Sequence, residues 1–174
     1  HLAPGRAREV LPALLTHPDP GVRCAAIGAL LHIGAPGVDV EGALKALTAR
    51  GSRAPLAERR EVTRLLGRLA EPRFADELVP YLQDIDSSVR NLAIKAVGEG
   101  RYVALAGEVL PCLMIRDVRP SARAALASLG DAVVPLLDEA LNDRSRPGAL
   151  RYELPRVFRE IGTQAAFDSL LFSN

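Results

Sequence analysis

Five arginines, Arg23, Arg59, Arg90, Arg119 and Arg151, recur at intervals of 36, 31, 29 and 32 residues, each at the head of an apolar helical pattern. A guanidinium offers five donors in a rigid fork and binds carboxylate, phosphate or backbone carbonyls. A second basic set, Arg60, Arg64 and Arg68, is spaced i, i+4 and i+8, which places all three on one side of a helix as a cationic ridge. Lys95, Arg156 and Arg159 extend the ridge onto later helices, with Asn91 and Tyr152 beside it, and Glu61, Glu99, Glu153 and Glu160 are interspersed. Such a surface suits an acidic peptide or a phosphate group. Read without a ligand, it is a solvated charged face.

Other chemistry has less support in the residues. His1, His17 and His32 have no i, i+4 His or Glu partner of the kind a zinc site uses. No GxGxxG, P-loop or EF-hand pattern occurs, and the hydroxyl residues stand in no nucleophile motif. Cys24 and Cys112 are isolated and are expected to be buried, reduced thiols rather than a disulfide or metal pair. No catalytic residue, metal or cofactor is therefore assigned, and the chain reads as a non-enzyme.

The elements that must position the ridge follow from periodicity. Counted from each reference arginine, apolar residues fall three, six, seven and ten places on: Ala26, Ala29, Leu30 and Ile33 after Arg23, and Val62, Leu65, Leu66 and Leu69 after Arg59. After Arg90 they are Ala93, Ala96, Val97 and Gly100, and after Arg119 Ala122, Ala125, Leu126 and Leu129. After Arg151 they are Leu154, Val157, Phe158 and Ile161. This is one face of a helix at 3.6 residues per turn, repeated five times. Eleven places on, Gly34, Gly130 and Gly162 suit a left-handed helix stop, whereas Ala70 and Arg101 depart from the pattern.

Between these second helices lie six first helices, at Arg6–Thr16, Val40–Ala49, Arg73–Gln83, Val103–Met114, Ala132–Leu141 and Thr163–Phe172. Pro12, Pro80, Pro111 and Pro135 fall inside four of them and predict kinks, except that Pro135 also fits a first turn. Turn-rich links at residues 17–21, 50–55 and 142–148 separate the hairpins without interrupting the repeat, so residues 1–174 read as a single domain. The repeat length lies in the range of stacked helical arrays.

Together with the kinking prolines and glycine stops, two helix starts carry a resemblance. Asp19-Pro20-Gly21-Val22-Arg23 and Asp86-Ser87-Ser88-Val89-Arg90 resemble the HEAT-repeat family, in particular its short bacterial, phycobilisome-lyase-like form. Pro55, Ile115 and Pro147 depart from the Asp place in the other repeats. The resemblance implies an all-α, right-handed α-solenoid of about five repeats plus one extra helix, with second helices lining the concave face. It implies no reaction. HEAT-like hydroxylases use His-Glu dyads, and HEAT-like DNA glycosylases use aromatic groups around an extruded base; neither set is found here. The stretch Arg151 to Leu171 is also similar to HEAT segments fused to bacterial membrane transporters and cyclic-nucleotide-binding domains. The chain starts at His1 and stops after an unpaired first helix, so a fragment of a longer protein is expected, and contacts with other domains of the parent chain with it.

Composition supports a globular chain and little more. It is 48% hydrophobic, 25% charged and only 4% aromatic, with no Trp, which favours close helix packing by Ala, Leu and Val. Of 22 basic residues only Lys45 and Lys95 are lysines, a bias that fits a GC-rich bacterial source. A net charge of +1 gives no overall drive toward nucleic acid or membrane, and no apolar run is long enough for a span. The expected function is a noncatalytic scaffold that binds an acidic protein or peptide on its concave face. The expected site is Arg60, Arg64, Arg68, Asn91, Lys95, Tyr152, Arg156 and Arg159. Nucleic-acid binding through the same ridge, and a regulatory cytoplasmic domain of a transporter, are the alternatives; the compartment expected is the cytoplasm. Asp19, Arg23, Arg59, Asp86, Arg90, Arg119 and Arg151 are assigned to structure, each arginine bonding turn carbonyls and an aspartate of its own or the next repeat, such as Asp19 or Asp86.

Overall fold

The computed structural model describes residues 9–172, and among these every regular element is a helix. The second helices are α1 (Pro20–Ile33), α3 (Leu56–Leu69), α5 (Ser87–Glu99), α7 (Arg119–Ser128) and α9 (Gly148–Ile161). Between them lie α2 (Val40–Thr48), α4 (Val79–Leu82), α6 (Ala106–Val109) and α8 (Val134–Asn142), with α10 (Gln164–Phe172) after α9. Each second helix packs on the next, α1 on α3, α3 on α5, α5 on α7 and α7 on α9, and the intervening segments cover one side of that row.

The residues three and seven places after each arginine are core, and those ten places on are mostly half-buried. Leu30, Leu66, Val97, Leu126 and Phe158, seven places after each arginine, are all 0% exposed. One buried cluster runs from Cys24 to Ala166, so burial is shared between neighbouring repeats rather than completed within one. Close approach makes this possible with small side chains. A Cβ on Gly67 would stand 2.9 Å from Ala96 Cβ, and one on Gly98 would stand 3.0 Å from Ala125 Cα.

Helix starts follow the local sequence. Asp19 accepts the Gly21 and Val22 N–H groups at 2.7 and 3.2 Å, and Asp86 those of Ser88 and Val89 at 2.9 and 3.3 Å. Both satisfy first-turn donors that have no helical partner. Where the Asp is missing, α3, α7 and α9 start without a side-chain cap.

Helix stops are more uniform than the residue types suggest. The position eleven places after each arginine is left-handed in all five repeats: Gly34, Ala70, Arg101, Gly130 and Gly162 have φ of 58°, 52°, 52°, 65° and 71°. Ala70 and Arg101 therefore adopt the glycine conformation despite carrying a Cβ. The turn geometry is imposed by the packing of the following segment, as when Tyr102, just beyond Arg101, donates its buried hydroxyl to Leu66 O at 2.9 Å.

Pro80 and Pro111 fall where one short helical segment gives way to the next, and Pro135 lies in the first turn of α8, the alternative placement expected for it. Pro12, Pro80, Pro111 and Pro135 are each the second residue of a helical segment, in Leu11–Thr16, α4, Leu110–Met114 and α8 respectively. Another helical turn ends directly before each of these segments, so each proline stands where the helical hydrogen-bond pattern changes. The first helices expected at Arg73–Gln83 and Val103–Met114 are accordingly divided into short 3-10 and α segments that restart at or just before the proline. Arg6 to Arg8 of the first expected helix lie outside the described residues.

Candidate functional site

Four of the five reference arginines clamp the turn before their own helix. Arg23 donates to the carbonyls of His17 and Pro18 at 2.7 and 2.9 Å, Arg90 to those of Asp84 and Ile85 at 2.6 and 3.0 Å, and Arg119 to Leu113 O at 2.7 Å. Arg59 bonds Ala54 O at 2.6 Å. These acceptors lie five or six places before each arginine, so the side chain folds back over the turn that delivers its own helix.

Arg59 meets the expectation of an aspartate from the next repeat, whereas Arg23 and Arg119 pair with glutamates instead. Arg23 pairs with Glu58 at 2.7 Å, Arg59 with Asp84 at 2.8 Å and Arg119 with Glu153 at 3.6 Å, each acid belonging to the following repeat. Asp19 and Asp86 are occupied as helix caps and do not pair with a reference arginine. Glu58 and Glu153 were legible in principle: each lies four places before a buried valine, Val62 or Val157, on the apolar stripe. A charge on that stripe needs a buried partner. Arg151 forms no ion pair among the described residues, and its buried Nε has no hydrogen-bond partner.

The ridge forms on the α3 and α5 side. Residues one, five and nine places after the first four reference arginines line a row of depressions along the second helices. Between α1 and α3 one of about 470 Å³ is lined by Cys24, Gly28, His32 and Arg68. Between α3 and α5 one of about 500 Å³ is lined by Arg60, Arg64, Ser88, Asn91, Leu92 and Lys95. A smaller one adjoins it, where Arg68 meets Arg64, Lys95 and Glu99. Thus Arg60, Arg64, Arg68, Asn91 and Lys95 are brought together.

The cations in this cluster are not equally available. Arg60 donates through two nitrogens to Ser88 Oγ at 2.9 and 2.7 Å, and Arg64 is paired with Glu61. Ser88 in turn bonds Asp86, and that hydroxyl, followed by the Ser88 and Val89 N–H groups and the Arg60 charge, holds the Asp86 carboxyl below its ordinary pKa. Arg68 and Lys95 make no hydrogen bond or ion pair among the described residues and stand exposed at the same depression as Glu99.

The other predicted members are elsewhere. Tyr152, 82% exposed, Arg156 and Arg159 lie on α9, beyond α7, and line none of these depressions. Arg156 donates to Glu153 at 2.7 Å and supports the buried acid that Arg119 also reaches. The ridge is therefore interrupted at α7, whose corresponding residues are Pro120, Ala124 and Ser128.

The remaining groups have local surroundings. His17 Nδ1 accepts the Asp19 N–H at 3.1 Å within the turn, and His32 lies exposed at the α1/α3 depression. Burial pushes the Cys24 thiol up to about 11, helped by the Glu61 charge, and burial also raises the Cys112 thiol. Among the described residues no three His, Cys, Asp or Glu side chains converge as a metal site, and no helix is long and apolar enough to cross a membrane. No protein-family model matches the chain, and no curated protein matches it.

Proposed function

We propose that this chain is a HEAT-like, right-handed α-solenoid that acts as a noncatalytic scaffold and binds an acidic peptide segment across the seam of α3 and α5. The observation that carries this reading is the convergence of Arg60, Arg64, Arg68, Asn91 and Lys95 on adjoining depressions, with Arg68 and Lys95 unpaired. Carboxylates there would meet two uncommitted cations and could exchange with Glu61 for Arg64. Glu61, Glu71 and Glu99 interrupt the positive surface at intervals, which suits spaced side-chain carboxylates better than the continuous charge of a nucleic-acid backbone. Two free, buried thiols fit a reducing compartment, and the proposal places the chain in the cytoplasm, on its own or as part of a larger protein.

Fluorescence anisotropy with a labelled peptide of alternating glutamate and serine tests the reading. Binding should fall by at least about tenfold in Arg64→Glu plus Lys95→Glu, while the helical circular dichroism and melting curve persist. Unchanged affinity would remove the α3/α5 seam from the proposal. Tighter binding of a single-stranded DNA probe, with steep salt dependence, would replace the acidic peptide by nucleic acid.

A further inference from the structure

The seams between second helices are not held alike. Arg23–Glu58 ties α1 to α3, and Arg60 on α3 bonds Ser88 on α5. Arg119–Glu153 at 3.6 Å and Arg123–Glu160 at 3.0 Å tie α7 to α9. Among the described residues no side-chain hydrogen bond or ion pair crosses from α5 to α7. Arg90 bonds only carbonyls before its own helix, and its buried Nε has no hydrogen-bond partner. Close packing of Gly98 on Ala125 holds this seam instead.

A depression of about 400 Å³ opens beside that contact. Gly98 and Ala125 form its buried floor, Pro120 and Ala124 with Ser121 and Ser128 the α7 wall, and Lys95 and Glu99 the opposite wall. A volume of this order accepts a branched aliphatic or phenyl side chain. Lys95 also lines the cationic depression across α5, so the apolar and basic surfaces share one side chain and form a continuous track. Five places after the reference arginine, α3 and α5 carry Arg64 and Lys95, whereas α7 carries Ala124. The track thus changes from charge-binding to apolar at the next repeat.

We infer that the α5/α7 depression receives an apolar side chain of the same acidic segment, so that the ligand is a peptide with one aliphatic or aromatic anchor next to its carboxylates. This rests on the acidic-peptide reading and specifies its ligand. The carboxylates lie on Arg64, Arg68 and Lys95, and the anchor lies on Gly98, Ala124 and Ala125. The absence of a polar clamp between α5 and α7 lets the two helices adjust to the anchor without breaking an ion pair.

The experiment uses short labelled peptides of glutamate and serine in which one leucine is moved through the sequence, compared with the leucine-free peptide. At the best position leucine should tighten binding by about tenfold or more, as burial of its side chain requires. Ala124→Leu, which fills the depression from an exposed position, should abolish that gain. Ser128→Leu at the far edge serves as a second filling variant, and circular dichroism checks that both remain folded. Equal affinity with and without leucine would overturn the anchor while leaving the acidic-peptide reading intact. A leucine gain that survives both filling variants would also overturn it, because the anchor would then bind elsewhere. Failure of every acidic peptide to bind would overturn both readings together.

Discussion

Arg59 of α3 reaches across to Asp84 in the turn before α5, with its Nε 2.8 Å from Oδ2 and a second nitrogen donating to Oδ1 at 3.2 Å. Asp84 is 1% exposed, and its Oδ1 also accepts the Asp86 N–H at 2.9 Å. One buried carboxylate therefore joins the preceding helix to the cap of the next. Asp84→Ala leaves Arg59 without its counter-ion and should cost about 3–5 kcal/mol in urea unfolding. The double change Arg59→Met plus Asp84→Leu should cost less than Asp84→Ala, because neither charge is then left buried alone. Asp86→Ala, which removes a helix cap but leaves no buried charge alone, should cost less than Asp84→Ala.

Ala70 and Arg101 occupy left-handed backbone positions that glycine holds in the other repeats. A Cβ in that region costs on the order of 1–2 kcal/mol, partly offset by the greater freedom glycine has when unfolded. Ala70→Gly and Arg101→Gly should each raise stability by about 0.5–1 kcal/mol. Gly34→Ala should lower it by a similar amount, and nothing lies within 4 Å of the added Cβ to confuse the comparison. Thermal unfolding of the three variants checks the sign.

Leu66 and Arg64 are two residues apart on α3 and face opposite surroundings. Leu66 is 0% exposed in the shared core, and Arg64 pairs with Glu61 at the surface. Leu66→Ala should cost about 2–5 kcal/mol and Arg64→Ala about 0.5 kcal/mol or less in chemical denaturation. Similar losses from both would show that the facing of α3 is misassigned.

Ser88 hydrogen-bonds Asp86 and lowers the pKa of its carboxyl. A carboxyl lowered in the folded state contributes stability above its unfolded value near pH ~3.9, and that contribution is lost as pH falls through the folded value. Ser88→Ala removes the largest cause of the lowering. An NMR titration should therefore show the Asp86 carboxyl protonating at a higher pH than in the parent protein. No movement would mean that the backbone N–H groups of α5 hold the charge by themselves.

The sequence by itself determined what lies within one helix. Its 3.6-residue periodicity places Leu30, Leu66, Val97, Leu126 and Phe158 on the buried side and Arg60, Arg64 and Arg68 on another, and Asp19 and Asp86 start helices through bonds two and three residues away. These are short-range constraints, carried by neighbouring residues along the chain. Tertiary structure decided which helices meet and how closely. Gly67 against Ala96 brings α3 and α5 near enough for Arg64 and Lys95 to share a depression, while α7 stands between that pair and Tyr152, Arg156 and Arg159. It also selected Glu58, Asp84 and Glu153 over Asp19 and Asp86 as partners of the arginines. A guanidinium pairs with the carboxylate that packing carries to its nitrogen atoms, and that distance depends on the side chains filling the seam between two helices, which no periodicity within either helix contains.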